Sequence, residues 1–534
     1  MNNSSIRIPN ATSGAHQQIE SFLKTAIQGL IGQETKSVEA QQSNSSGHPV
    51  VLPSASLWLA VLMGVLRGLK SVRAVWRLLV AQGYEIGDQA VYNRLEKEGW
   101  EPLARLFERV SHLLAQWLQP ALQMYHQRHP ILASFATEVV ALDEMYLDQV
   151  KRRLPILRHF QRGDLELLPG KLIALFDVRL QQWRAIKYME QATQNGREQA
   201  KALLGSLKAG TLVLADLGYF GFEWFDHLTE LGYSWISRVK SYTTVVVHHT
   251  YYEAGETFDR LVWLGARNIH GKYVVRQVQF RQGGQLRQYF TNVCDPTVLP
   301  LSEIARLYAR RWDIELAFLT LKRELGLHLI WSSKSMVVLA QVWACLIIAQ
   351  VLQAIRMEVA LRAEVDIFDV SMSLLLEAFP QFDLQGHDGI AKCVRQGRRL
   401  GIIRPCTRLS IEAPEILPEQ LIPLPKDTVL CRQPSYSHKN PAQKPMSPQI
   451  EVHPQRDLLV ALLMQREAEV KAKASIAKSK PTVPSEVGPI KAQTSARNLS
   501  ACQPAGIPTA PVVQPDSSIP RPSWAFLKPL VASA

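Results

Sequence analysis

The chain is predicted to be a mixed α/β protein, and three observations predict it. Short, apolar, β-rich segments recur between Thr137 and Lys240, with helical segments between the later ones. Helical periodicity runs from Ser54 to about Gln127 and returns from Ser302 to about Glu364. From Ser241 to about Pro300 that periodicity is absent, and strand-like runs alternate with Gly turns.

Each element follows in order. Residues 1–53 are polar and rich in Ser, Asn and Gln. They read as disordered apart from one short amphipathic helix around Ile19 to Ile31. Residues 54–130 form an all-helical region through LWLAVLMGVLRGL, SVRAVWRLLVAQ, GDQAVYNRLEKEG and a striped segment to Leu122. Asp88 reads as an N-cap before QAVYNRL, and Gly83 as the end of the preceding helix. The second of these two short helices bears Tyr92, Asn93 and Arg94. The pair reads either as a helix-turn-helix-like DNA-binding unit or as a bundle that buttresses the next domain.

The texture changes at Thr137. EVVALDEMYLDQV, GKLIALFDV and WRAIKYME read as strands, followed by a helix from Gly196 to Leu207. TLVLAD is then a strand, FEWFDHLTELG a helix and YSWISRVK a strand. This order is the one expected of a ribonuclease-H-like α/β core, placed at residues 137–365. TTVVVHHTYY, RLVWLG, KYVVRQVQF and LRQYFTNV make residues 241–300 a β-rich insertion. The apolar stretch Met336 to Ile355 contains Gln341, Gln350 and Gln353, so it reads as a buried helix rather than a membrane span. Residues 366–412, with the basic run KCVRQGRRLGIIRP, close the folded part. Residues 413–534 are rich in Pro, Ser, Ala and Lys and read as a mostly disordered tail.

A net charge of +13 and a pI near 9.4 favour an anionic partner, most commonly nucleic acid. The six cysteines form no C-x-x-C pair, which argues against a disulfide framework or a zinc site. The N-terminal MNNSSIRIPNATSGAHQQ lacks the apolar core of a signal peptide. A cytoplasmic, nucleoid-associated protein with no membrane partner is expected.

The chemistry concentrates in three carboxylates. Asp143 ends the apolar run VVAL, and Asp216 ends TLVLA ahead of a turn permitted by Gly218. A charge at the end of an apolar strand is costly to bury without a partner, so a metal or counter-ion is expected there. Glu315 lies in Tyr308-Ala-Arg-Arg311-Trp-Asp-Ile-Glu315-Leu-Ala-Phe-Leu-Thr-Leu-Lys322. At about 100° per residue, Tyr308, Arg311, Glu315 and Lys322 fall on one helical face, a stripe about 21 Å long that can follow several phosphates. Two aspartates on adjacent strand ends and one acid from a facing helix are the donor set for metal-dependent phosphodiester chemistry. Asp177, ending LIALF, is the best competing carboxylate. Glu144 should point to the opposite strand face from Asp143, and Asp148, Asp313 and Glu324 are out of phase.

The spacing Tyr-x2-Arg-x3-Glu-x6-Lys resembles the YREK signature of insertion-sequence family four, a group of DDE transposases. Asp-Leu-Gly-Tyr-Phe from Asp216 resembles the D-x-G-Y/F segment of the same family. The resemblance covers roughly residues 54 to 360. It implies a transposase that nicks element ends and transfers strands by attack of a 3′-hydroxyl, through a hairpin end intermediate. Its implied catalytic and metal-binding residues are Asp143, Asp216 and Glu315, with two Mg²⁺ ions and Mn²⁺ as a substitute. Arg311, Lys322 and Tyr308 would then contact phosphates, and double-stranded DNA (terminal inverted repeats and target) would be the partner of a homodimer. The insertion sets Tyr251, Tyr252, Trp263, Tyr273 and Tyr289 beside Arg260, Arg267, Lys272 and Arg276. The resemblance implies that one aromatic receives a flipped base. Trp263 has the largest stacking face, and Tyr289, nearer the end of the insertion, is the alternative. Two other readings stay open: a transposase-derived DNA-binding regulator that does not cut, and a ribonuclease-H-like nuclease without strand transfer.

Overall fold

The apolar periodicity after Ser54 becomes a helical layer. In the computed structural model, residues 15–38, 52–127, 131–147, 170–189, 194–266, 268–327, 329–332, 334–384, 388–406 and 411–436 are described. The expectations for residues 1–14, for Asp148 and for residues 437–534 lie outside them. The helices are α1 (Ala15–Val38), α2 (Ser54–Leu66), α3 (Val72–Ala81), α4 (Asp88–Glu98) and α5 (Glu101–His126). Apolar nearly all round, α2 is buried along most of its length. Ser71 caps α3, and Gly83 just past its end adopts φ +95°, a conformation glycine favours. The cap of α4 is Gly87 rather than Asp88, whose carboxylate pairs instead with Arg73 of α3 at 2.9 Å. Arg94 is committed to Glu98 at 2.5 Å and to Ser54 at 3.1 Å, which suits the buttressing reading of this pair.

Strands follow as expected: β1 (Val139–Tyr146), β2 (Lys171–Asp177) and β3 (Gln182–Met189), then α6 (Gly196–Leu204), β4 (Leu212–Ala215), α7 (Phe222–Glu230) and β5 (Ser234–Arg238). The insertion supplies β6 (Val245–Ala254), β7 (Thr257–Ala266), β8 (Ile269–Gln282) and β9 (Gln285–Thr291). All nine form one mixed sheet, ordered β3-β2-β1-β4-β5-β9-β8-β7-β6. Only the β1–β4 and β4–β5 pairs are parallel, and the insertion joins the core through β5 and β9. The insertion is therefore a continuation of the core sheet rather than a separate β-layer.

Strand alternation divides the core. Val139, Ala141, Leu212 and Leu214 pack with the N-terminal and C-terminal helices, while Val140, Leu142, Val213 and Ala215 pack with α6 and α7. After the sheet come α8 (Leu301–Ala309), a 3-10 turn (Arg310–Trp312), α9 (Asp313–Arg323), α10 (Ser335–Ala363), α11 (Met372–Leu384) and α12 (Gly389–Gln396). By length and composition α10 could cross a membrane, but its apolar window is wholly buried in protein. Its glutamines explain how. Gln341 bonds the backbone of Trp331 and Leu329, and Gln350 bonds both backbone groups of Trp183.

Residues 413–436, expected to begin the disordered tail, are instead tied to the sheet. The pairing of β9 with β8 stops at Arg276, so the start of β8 is left without a neighbour on that side. A strap formed by residues 430–435 takes the vacant lane. Val274 donates to Leu430 O at 3.0 Å, Arg432 N to Lys272 O at 2.8 Å, and His270 and Ser435 exchange both backbone bonds. Unpaired sheet-edge N–H and C=O groups supply the driving force.

Candidate active site

The parallel pairing of β1 with β4 ends at Leu142 and Ala215, so Asp143, still within β1, and Asp216, just past β4, follow it side by side. Alternation puts both on the face of Ala141 and Leu214, the face on which α9 packs against β1. Glu315 arrives from α9 on that side. Burial is the main force pushing the Asp143 carboxyl up to about 6; its bond from Glu144 N and the nearby Arg311 oppose this, while Glu315 and Asp216 add to it. Burial likewise raises Glu315, against Arg311 and with the help of Asp216.

Arg311 stands among them. Its Nη2 meets Glu315 Oε1 at 2.8 Å, and its side chain is only 6% exposed. Nε and Nη1 are buried and find no hydrogen-bond partner. Burial works against its charge, yet Tyr308, Asp216 and Glu315 together hold the guanidinium more firmly protonated than usual. Tyr308, buried, reaches Ala215 O at 3.4 Å and has its phenol pushed up by burial. Its ring lies 4.8 Å from that of Tyr289, so the alternative aromatic of the insertion reaches the site.

The signature run is not one straight α-helix, contrary to expectation. Tyr308 ends α8, Arg311 lies in the 3-10 turn, and Glu315 and Lys322 lie on α9. The turn is held by Arg310, which bonds Asp313 at 2.7 Å and Val178 O at 3.0 Å. Asp313 also accepts from Gln181 at 2.6 Å, so its role is structural, as its phase implied. Lys322 is half-buried, about two turns beyond Glu315.

The competing carboxylates separate cleanly. Asp177 pairs with Val140, toward the opposite end of β1, and accepts from Leu180 N at 2.7 Å. Glu144 points to the other face, where Lys171 meets it at 2.9 Å and Tyr146 donates to it at 3.1 Å. Trp263 is not at the site. It pairs with Val274, four residues along β8 from the Val278 that faces Tyr289. One side of its ring faces the Arg432 guanidinium at 4.6 Å. Arg276 is also unavailable to phosphates, being wholly buried against Asp259.

Two residues escaped the sequence reading. Arg197 donates to Gly218 O at 2.9 Å and to Phe220 O at 3.0 Å, pinning the turn after Asp216. Its partners are main-chain carbonyls, so no sequence pattern marks it. Tyr219, inside the quoted Asp-Leu-Gly-Tyr-Phe, has a buried hydroxyl without a partner. Burial, then Glu144 and Asp143, push that phenol up.

An all-carboxylate donor set suits a hard divalent cation, and the two open nitrogens of Arg311 suit phosphate oxygens. The residues fit a metal by their chemistry. Among the described residues, however, no three His, Cys, Asp or Glu side chains are gathered closely enough to hold one, and Glu315 is turned to Arg311.

No curated protein matches the chain. A cryo-EM structure of the piggyBac transposase synaptic complex with hairpin DNA is similar at 10% identity and a TM-score of 0.37, over 77% of this chain and 90% of that one. The family model described as "Transposase DDE domain" matches residues 169–351. Asp143 precedes that match, whereas Asp216, Tyr308, Arg311, Glu315 and Lys322 fall within it: residues 169–351 are similar to a transposase DDE domain.

Proposed function

We propose that this protein is a DDE transposase of insertion-sequence family four with a ribonuclease-H-like core. In this reading it nicks element ends and joins their 3′-hydroxyls to target DNA through a hairpin end intermediate. One observation carries it: Asp143 and Asp216 lie side by side on the sheet face that the Glu315 helix covers, and Glu315 meets an arginine with two buried, unused donor nitrogens. A surface ion-pair cluster would have water for those donors, whereas a phosphate-binding site leaves them for its ligand.

Asp143, Asp216 and Glu315 would hold Mg²⁺, or Mn²⁺ in its place, which when bound activates the attacking oxygen and stabilises the leaving one. Arg311 takes a phosphate of the element end, and Tyr308 and Tyr289 back that phosphate from the β9 side. Lys322 meets the DNA backbone farther along α9. Arg197 keeps Asp216 in place by fixing the turn behind it. A homodimer on paired terminal inverted repeats, in the bacterial nucleoid, completes the reading.

The test is cleavage of element-end DNA in Mg²⁺, with the substrate taken from the DNA flanking the gene. Asp143→Asn, Asp216→Asn and Glu315→Gln should each abolish nicking while leaving DNA binding largely intact, because each is nearly isosteric and removes only ligand charge. Any variant that cuts at the wild-type rate removes its residue from the site.

A further inference from the structure

A cavity of about 260 Å³ lies behind the candidate site, between α5, α8 and α10. Its wall is largely apolar, with Leu122, Met357, Ala360, Leu361, Val365 and Ile367 among the lining residues. Three arginines also line it, against one acid, Asp366.

The three cations are not equivalent. Arg179 is saturated by main-chain carbonyls, donating to Leu132 O at 2.9 Å, Ala136 O at 3.0 Å, Thr137 O at 3.3 Å and Ala133 O. Arg310 is held by Asp313 and Val178 O and lies 4.2 Å from the Phe368 ring centre. Asp366 is engaged in turn, accepting from Phe368 N at 2.9 Å. Arg306, in the last turn of α8, makes no hydrogen bond or ion pair among the described residues. The cavity therefore has an apolar body and one uncommitted guanidinium at its edge.

We propose that this cavity binds a small amphipathic monocarboxylate, its apolar chain against α10 and its head group on Arg306. A guanidinium matches a carboxylate with two parallel N–H bonds. The volume corresponds to roughly nine water volumes of about 30 Å³ each, the size of a chain with about ten non-hydrogen atoms such as octanoate. An uncharged chain would leave Arg306 unpaired, and a short charged acid would leave the apolar wall uncovered. Such a ligand touches the segment that carries Tyr308 and Arg311 without reaching Asp143, Asp216 or Glu315, none of which lines the cavity.

The experiment is calorimetric titration of the full chain with octanoate, alongside octanol and octyl phosphate. Saturable binding of octanoate with one site is expected, and octanol should bind at least about tenfold more weakly for want of the charge-assisted bond. Octyl phosphate binding as tightly as octanoate would assign the site to phosphate esters and overturn the carboxylate assignment. Arg306→Gln, at an exposed position, should weaken octanoate about tenfold and leave the melting temperature of the free protein unchanged. Ala360→Leu, which fills the cavity, should abolish binding. Should Ala360→Leu fail to fold, the Arg306→Gln titration decides alone. Equal affinity of wild type and Arg306→Gln for octanoate, or no saturable binding, overturns the proposal.

Discussion

Two regions of the nine-stranded sheet, the insertion and the β1–β4 pair, treat buried charge in opposite ways. In the insertion it is matched. Arg276 donates Nε to Asp259 at 2.7 Å, Nη2 to the same carboxylate at 2.5 Å, and Nη1 to Leu299 O at 2.6 Å, leaving no donor group unused. Asp226 is equally engaged, accepting from Lys272 N at 2.7 Å, Tyr273 N at 3.2 Å and the Tyr436 hydroxyl at 2.7 Å. Where the pairing of β1 with β4 stops, charge is left partly unmatched: Arg311 keeps two idle nitrogens, and Asp143 holds its proton to about 6. A matched buried pair fixes a fold. An unmatched one is kept against the stability of the free protein, and a ligand that arrives later is the physical reason to keep it.

The sharpest way to break this comparison is to remove one arginine from each region. Arg276→Met leaves Asp259 buried and alone, and should cost about 3–5 kcal/mol in thermal or urea unfolding. Adding Asp259→Leu should return most of that loss, since the pair as a whole contributes little net stability. Arg311→Met should cost far less, because Glu315 is half-exposed and its charge can be hydrated, yet it should remove binding to element-end DNA. Equal destabilisation by the two single substitutions would erase the distinction between a fold pair and a site.

The second test is the pH dependence of stability. Asp143 has a folded pKa of about 6 against an ordinary value of 3.8, so the native state holds this proton more tightly than the unfolded chain. Stability from this group is complete below 3.8 and is lost as pH rises through about 6, a difference of about 3 kcal/mol. Asp143→Asn has no such loss. In metal-free buffer it should therefore melt higher than wild type at pH 7–8, with the gain shrinking to nothing near pH 4. Asp177 is also pushed up to about 6 by burial and titrates over the same range, but it is common to both proteins and drops out of the difference. A variant whose advantage stays constant with pH would show that Asp143 is not the desolvated group.

Legibility in the sequence followed the same division. That Asp143 shares a strand face with Ala141, and Asp216 with Leu214, could be read because strand alternation is a local rule that places side chains on faces. The 3-10 turn was not legible. It depends on Arg310 and Asp313 meeting Val178 and Gln181, which lie more than a hundred residues earlier. Nor was the strap. Residues 413–436 have no periodic core and several prolines, and what orders them is a vacant lane beside β8 that exists only once β9 has turned away. Ring size singles out Trp263, but composition cannot say which aromatic of a sheet lies nearest the site; the ring of Tyr289 is the one that meets Tyr308.

The smallest predicted effect concerns that strap. Arg432 donates to Gly271 O at 3.0 Å and Leu264 O at 2.8 Å while its guanidinium faces Trp263, and Leu421 and Leu424 pack against the cluster that Trp263 borders. Arg432→Ala should lower stability by only about 1–2 kcal/mol, from one cation–π contact and two bonds in a partly hydrated place. It should also increase quenching of tryptophan fluorescence by acrylamide, because one ring face loses its cover. In this structure a base cannot stack on that side of Trp263, so hairpin formation should be less sensitive to Trp263→Ala than to Tyr289→Ala. If Trp263→Ala instead blocks the hairpin while sparing the first nick, the strap must lift during the reaction. Arg432→Ala would then speed hairpin formation, and the insertion end of the sheet would hold a second site behind its matched charges.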